Sequence, residues 1–332
     1  MGGAMNMNNA LARLPLLALA LVATVVYAAA RFDYGLTPRQ LAPDTWYIEG
    51  STGDFSFENG GNIVNTAFVV TDEGVLVIDT GPSRQYGEQL KAAIKRVTDK
   101  PIALVVNTHH HPDHFLGNQA FGDSKVGAPA LGNPDFGGGR VAALALTIAL
   151  IKQDGAAFNE NMYRLAGSAM AGTEVTPPSV EIKPGIMKLG RHTFELLALS
   201  GHTPGDLAVY DHNTGILFGG DLLFHERAPT TPHASLGNWH ASLNTLAALN
   251  AKLIVPGHGP ASTTDAPIRQ TRAWLQWLET TLRQSAEQGL DMNEVLAKPI
   301  PEDLATLSLA QSEFTRSVSH LYPAMELEVF NK

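Results

Sequence analysis

The sequence predicts a layered α/β fold, and three observations carry that expectation. Short apolar runs of strand length recur between turn residues, as at 62–71, 74–78 and 102–106. A stretch with helical spacing, 86–97, sits between two of these runs, giving the order strands, helix, strand. The strand–turn pattern returns from Val180, and helices follow from Asp265. Alternation of this kind stacks sheets and helices in layers around a shared core.

Taken in order, residues 1–30 stand apart. Arg13 precedes an apolar run over 14–26, and Ala28-Ala29-Ala30 supplies the small residues of a leader cleavage site. We expect a signal peptide over 1–30, cut after Ala30, and a periplasmic or secreted body. An uncleaved membrane anchor is the alternative, since the apolar stretch over 14–30 is only slightly short of a span. Residues 45–50 alternate as a strand. Residues 51–61 form a turn-rich loop with Phe55, Phe57 and Asn59. Strands over 62–71 and 74–78 flank the Asp72-Glu73 turn, and the second runs into Asp79-Thr80-Gly81. Residues 122–178 carry Asn133-Pro134-Asp135, a Gly137-Gly138-Gly139 loop and two expected helices, 141–151 and 157–170, the second stopped by Thr176-Pro177-Pro178. Hairpin strands follow at 185–189 and 192–197, with His192 expected on a solvent face. Strands at 207–210 and 216–219, a long loop over 222–239, a helix over 243–251 and a strand at 253–255 complete the body. The remainder to about Ser319 reads as helix, beginning with Ala266-Pro267.

Composition bounds the function. The formal net charge of −9 and the lack of a basic patch argue against nucleic acid. The chain has no cysteine, so thiolate nucleophiles, thiolate ligands and disulfides are excluded.

The chemistry concentrates at residues 109–114, His-His-His-Pro-Asp-His, directly after an apolar strand. His and Asp are rarely buried unless paired or bound to metal. Neutral imidazole and carboxylate are natural ligands of a divalent cation. His109 and His111, two apart in an extended loop, can face one ion, and Asp113 and His114 on the next turn can face a second. Three later turns each bring one more candidate to a strand end: His202 in Ser-Gly-His-Thr-Pro-Gly, Asp221 after Gly220, and His258 in Pro-Gly-His-Gly-Pro.

Together these elements resemble the metallo-β-lactamase fold superfamily of dinuclear hydrolases over roughly residues 45–280. The resemblance implies an αββα sandwich, two β-sheets packed face to face with helices outside. It implies one domain over 31–332, with a C-terminal helical extension over 281–332. His109, His111 and His202 would hold the first metal, Asp113, His114 and His258 the second, and Asp221 would bridge them. Asp113 and Asp221 are thereby the catalytic carboxylates. Two Zn²⁺ would share a water ionised to a bridging hydroxide, with iron or manganese as substitutes. Asp79 would support the metal loop, and His110 would point away. Lactamases of the superfamily carry cysteine or serine where this chain has Asp221, whereas general hydrolases carry aspartate. The substrate is therefore expected to be a small-molecule ester, thioester or relative, with a β-lactam as the alternative. Glyoxalase II itself is disfavoured by the lack of an evident basic glutathione patch.

Residues 59–66, 79–83 and 226–233 also resemble the exported quinoprotein relay system zinc metallohydrolases. That resemblance implies a periplasmic quinoprotein dehydrogenase system as a partner, and allows a non-catalytic metal-binding accessory as a further alternative. Contact with membrane is expected only through an uncleaved leader. The loop starting at Asp221 places His225 and Arg227 as pocket candidates. Arg227 could clamp a carboxylate or phosphate, or pair with Glu226 or another surface acid. Phe57, with Phe55, would form an apolar lid or pack in the core.

Overall fold

The structure, a computed structural model, describes residues 1–2, 31–122 and 140–331. The chain divides into two units, Met1–Ala30 and Arg31–Lys332, and the second unit carries both sheets. The expected leader and the Gly137-Gly138-Gly139 loop lie outside the described residues. Among the described residues no helix is long and apolar enough to cross a membrane.

Two sheets form the centre. The first contains β1 (Arg39–Ala42), β2 (Thr45–Ile48), β3 (Thr66–Thr71), β4 (Gly74–Ile78), β5 (Ile102–Val106), β6 (Val141–Ala143) and β7 (Val180–Glu181), side by side in that order. It is antiparallel as far as β4 and parallel from β4 to β7. The second contains β8 (Gly185–Leu189), β9 (His192–Leu199), β10 (Asp206–Asp211), β11 (Ile216–Phe224) and β12 (Leu253–His258), ordered β12-β11-β10-β9-β8. Only β11 and β12 run parallel in it.

Strand periodicity explains the layering. In β4, Leu76 and Ile78 face the second sheet and share a core with Phe194, Leu207, Val209 and Phe218. Val75 and Val77, one residue out of phase, pack instead with Tyr86, Leu90 and Ile94 of α1 (Arg84–Val97). On the far side, Ala208 and Leu217 join residues of α4 (Leu236–Ala248), α5 (Ala266–Glu287), the short α6 (Met292–Leu296) and α7 (Glu302–Ala305), and α8 (Ala310–Phe330). The central strands are thus buried on both faces, which is why they read as continuous apolar runs. The layers run helix, sheet, sheet, helix, the sandwich that the sequence led us to expect. Helix α1 begins where the Ser83 hydroxyl accepts from the Tyr86 N–H (3.1 Å) and ends with Lys95 and Arg96 in its last turn.

Three expectations are corrected. Residues 141–151 are not one helix: Val141 and Ala142 pair in parallel with Val105 and Val106. Helix α3 then runs unbroken over Ala145–Ala166, ending at Gly167 with φ 56° rather than at the Pro177 pair. Three strand residues are too few to show a period, so the apolar run looked helical. The stretch 222–239 is not one long loop, because β11 continues to Phe224 and α4 starts at Leu236. Trp239 lies buried in that helix and donates Nε1–H to the Leu222 carbonyl (3.0 Å).

His192, expected on a solvent face, is buried. Its Nδ1 lies 3.0 Å from Asp211 Oδ2 and its Nε2 3.6 Å from Asp44 Oδ2. The Asp211 hydrogen bond raises its pKa, with burial opposing. A folded-state pKa above the unfolded value of about 6.5 means that this contribution is complete below that pH. It is lost as pH rises through the folded pKa. His192→Phe should therefore destabilise by about 2 kcal/mol at pH 6 and by clearly less at pH 9. Urea unfolding at both pH values measures this, and equal losses would contradict it.

Candidate metal centre

Residues from five strands or the loops that follow them converge on one edge of the sandwich. At the end of β4, Asp79 adopts φ 58°, an uncommon conformation for a residue with a side chain. Its carboxylate accepts from the Thr108 N–H and hydroxyl, each at 2.8 Å, and from His114 Nδ1 at 2.8 Å. The loop after β5 is thereby fixed to the neighbouring strand. Pro112 then opens a single helical turn, α2 (Pro112–Phe115), which delivers Asp113 and His114. His202 sits in the turn between β9 and β10. There Thr203 donates its N–H and hydroxyl to Asp206, whose carboxyl burial nevertheless pushes up to about 7. Because β11 and β12 are parallel and adjacent, Asp221 and His258 emerge at the same sheet end. The approach is so close that a Cβ on Gly257 would lie 1.9 Å from Asp221 Oδ1.

Two groups result. One atom from each of His109, His111, His202 and Asp221 lies within 4.8 Å of the others, and the same holds for Asp113, His114 and His258. Asp221 reaches both. Its Oδ2 is 3.3 Å from His202 Nε2 and 3.0 Å from His258 Nε2, and its Oδ1 is 3.1 Å from His114 Nε2. Asp113 Oδ2 lies 3.5 Å from His258 Nε2 and 3.6 Å from His114 Nε2. All these side chains are buried.

The far nitrogens decide what the near ones can do. His114 Nδ1 gives its proton to Asp79, His258 Nδ1 to the Ile63 carbonyl (2.7 Å), His202 Nδ1 to the Thr230 carbonyl (3.2 Å) and His109 Nδ1 to the Thr108 hydroxyl (3.0 Å). Each Nε2 is then a bare lone pair directed at carboxylate oxygens. Lone pair against lone pair repels unless a cation or proton lies between. His109 Nε2, His114 Nε2, Asp113 Oδ2 and Asp221 Oδ1 indeed have no hydrogen-bond partner. Buried polar atoms of this sort call for an explanation, and a divalent cation supplies one.

The electrostatics agree. Burial, with the neighbouring imidazoles, holds His109 and His111 well below the ordinary histidine value and brings His202 to about 3. These rings are neutral and ready to ligate. Burial would lower His114 too, but the fields of Asp221, Asp113 and Asp79 reverse it and hold it well above. A spot that binds a proton this firmly is a spot where positive charge is stabilised.

A cavity of about 180 Å³ opens beside this centre. Phe55, Ile63, Phe158 and Pro232 give it an apolar side. Asn161, Thr230 and His233 add polar groups, and Asp54, Arg227, Glu313 and Arg316 form a charged wall. A more open groove of about 560 Å³ beside Leu146 and Asn238 has only Glu181 and Lys183 as charged lining.

The sequence-based pocket candidates fare unequally. Arg227 lines the cavity but is buried, with its NH2 group 3.8 Å from Glu313 Oε1. It therefore pairs neither with Glu226 nor with a surface acid. His225 is not part of the wall: it is half-buried, and its Nδ1 donates to the Pro260 carbonyl (2.8 Å). Phe57 is 62% exposed and rests against Gly167, while Phe55 does line the cavity. His110 joins neither of the two groups above and packs near His111, His233 and Phe158. Sequence reasoning missed Glu313, Arg316, Phe158 and Asn161 altogether. They arrive from α8 and α3, and no local spacing announces them.

Two His/Asp groups that meet at one carboxylate, at one edge of a helix–sheet–sheet–helix sandwich, make a candidate centre for divalent cations. Residues 59–258 match the family described as the Metallo-beta-lactamase superfamily. Against a linear primary-alkylsulfatase of a Pseudomonas species the chain is 25% identical over 283 residues, covering 75% of this chain and 52% of the sulfatase. It thus spans about half the length of that relative. A probable metallo-hydrolase of Bacillus subtilis, YqjP, is 25% identical over 217 residues, 59% of this chain and 67% of its own. Among solved structures, a metallo-beta-lactamase from Pontibacter korlensis superposes with a TM-score of 0.57 at 24% identity, covering 73% of this chain and 99% of its own. The chain belongs to the metallo-β-lactamase superfamily.

Proposed function

We propose that the protein is a dinuclear zinc hydrolase that cleaves a carboxylic, thio- or sulfate ester of a small molecule. The observation that carries this reading is Asp221, whose two oxygens reach both His/Asp groups within 3.3 Å. His109, His111 and His202 hold the first ion in this reading, Asp113, His114 and His258 the second, and Asp221 both. Iron or manganese would fit the same donors. Bound divalent cations supply a Lewis acid and a water of lowered pKa. The chain's own contribution is to orient five imidazoles, and to hold the two carboxylates opposite them. Phe55, Ile63 and Phe158 offer an apolar seat for the acyl or alkyl part of the substrate. A cavity of about 180 Å³ restricts that part to a small group. The sulfate-ester arm draws on the alkylsulfatase relative.

The competing reading is a β-lactamase. The similar solved structure bears that name, but an aspartate at 221 departs from the lactamase ligand pattern. A metal-binding accessory of a quinoprotein system is a third reading, and an open cavity beside the ligands argues for turnover instead. Export rests on Arg13, the apolar run over 14–26 and Ala28-Ala29-Ala30, and an intact mass from the native host tests it.

The deciding experiment combines metal analysis of the purified protein with a panel of esters, thioesters, sulfate esters, phosphoesters and lactams. About two ions per chain and ester-class turnover exceeding lactam turnover are expected. His109→Ala and His202→Ala should each deplete the first ion, and His114→Ala and His258→Ala the second. No more than one ion after zinc reconstitution at neutral pH would contradict the dinuclear assignment, and lactam turnover alone would reverse the functional ranking.

A further inference from the structure

We propose that His233 is a positioning residue that fixes which nitrogen of His111 faces the metals. The proposal rests on the dinuclear reading above. His111 is the inverted member of the set. Its Nδ1, not its Nε2, lies in the centre, 2.7 Å from His202 Nε2. Its Nε2 lies 2.9 Å from His233 Nδ1. A lone pair on Nδ1 is free for a cation only if the ring proton sits on Nε2. A buried N–H needs an acceptor, and His233 Nδ1 is the one it meets. His233 is then the neutral tautomer with its own proton on Nε2, left as a donor beside the cavity that His233 lines.

The consequence is an asymmetry between the two groups. His114 is backed by the Asp79 carboxylate, which makes a ring a stronger electron donor. His111 is backed by a neutral imidazole, so its donor strength is left nearly unchanged while its orientation is set. The ring of His233 is held by its neighbours, with centroids 5.0 Å from His110 and 6.3 Å from Phe158. His110, His111 and His233 could also be read as a third cation site, since one atom of each lies within 4.8 Å of the others. That would require His111 to ligate through both nitrogens and surrender its last proton. A hydrogen bond requires nothing of the sort.

The test uses two variants of the full chain. His233→Asn keeps an acceptor, its Oδ1, where Nδ1 stood; His233→Phe keeps the ring bulk without one. Cobalt(II) affinities of both sites are measured by competition with a chromophoric chelator, together with the visible spectrum of the cobalt protein. His233→Phe should weaken the first site by about 10- to 100-fold and alter its cobalt spectrum, with the second site unmoved. His233→Asn should recover most of the affinity and the spectrum. Equal affinity in His233→Phe and wild type, equal weakening in Phe and Asn, or a third cobalt lost in both variants would each overturn the proposal. Wild-type protein that binds fewer than two cobalt ions would instead remove the dinuclear reading on which it rests.

Discussion

Asp221→Ser is expected to yield a folded chain that holds one metal ion firmly instead of two and loses more than about a hundredfold in turnover. The size follows from position: even outer-shell changes at metal sites cost about 10- to 100-fold, and Asp221 lies directly between the two groups. Its oxygens stand 3.0–3.3 Å from His114, His202 and His258. Burial would raise its carboxyl, but His258, His114 and His109 hold it well below the usual range. Two cations in one small space repel one another, and the shared carboxylate offsets that repulsion. Serine leaves three ligands at each position, His109, His111 and His202 for the first ion and Asp113, His114 and His258 for the second, with no shared carboxylate to offset the repulsion between two ions. The fold should survive. Asp221 forms no part of the apolar core, and β11 is held by its pairing with β10 and β12. Zinc content by elemental analysis, ester and lactam turnover, and a thermal unfolding curve make the comparison. Any gain of lactam turnover should be small, because the rest of the cavity wall stays unchanged. Two firmly held zinc ions with undiminished ester turnover would take Asp221 out of the centre.

Residues 109–114, His202 and His258 are legible in the sequence because each ends an apolar strand, and Asp221 because an acid interrupts one, although β11 runs on past it to Phe224. Strand ends gather at one sheet edge whatever lies between them. Asp79 was legible for the same reason. The cavity was not. Phe158 and Asn161 come from α3, a single helix over a stretch that reads in the sequence as two. Glu313 and Arg316 come from α8, more than fifty residues beyond the last ligand. An acid and a base three residues apart on a helix ordinarily mark a solvated face. Only the burial of Glu313 distinguishes this pair, and burial is a property of the packed chain. Arg227 shows the converse: the sequence placed it near the metals, but its partner could not be foreseen. His225 and Phe57 failed as pocket candidates because adjacency along a loop does not fix which way a side chain turns.

The C-terminal extension should therefore be part of the working centre, and Glu313→Ala tests that directly. Glu313 is fully buried on α8, and Arg227, only 2% exposed, faces it at 3.8 Å. Arg316 joins the group, 2.7 Å from Glu313 and bonded also to Asp54. Burial raises the Glu313 carboxyl more than the two guanidinium groups lower it, so the pair is a compensated cost rather than a strong bond. Removing one member is another matter. It strands the Arg227 charge, whose Nε already lacks a partner, in a site that water reaches poorly. The expected loss is about 3–5 kcal/mol, read by urea unfolding of chelator-treated protein with an unchanged slope. The double variant Arg227→Met/Glu313→Leu removes both charges and should regain most of that stability. A loss below about 1 kcal/mol in Glu313→Ala would show that Arg227 is solvated after all. Turnover then separates two roles. Arg227 NH1 packs 3.1 Å from His258 Nδ1, whose proton goes to the Ile63 carbonyl. If the guanidinium serves only to support that ring, the double variant should keep the wild-type KM and lose mainly kcat. If it binds an anionic part of the substrate, KM should rise about tenfold or more, as for a lost charged hydrogen bond of about 1.5–3 kcal/mol.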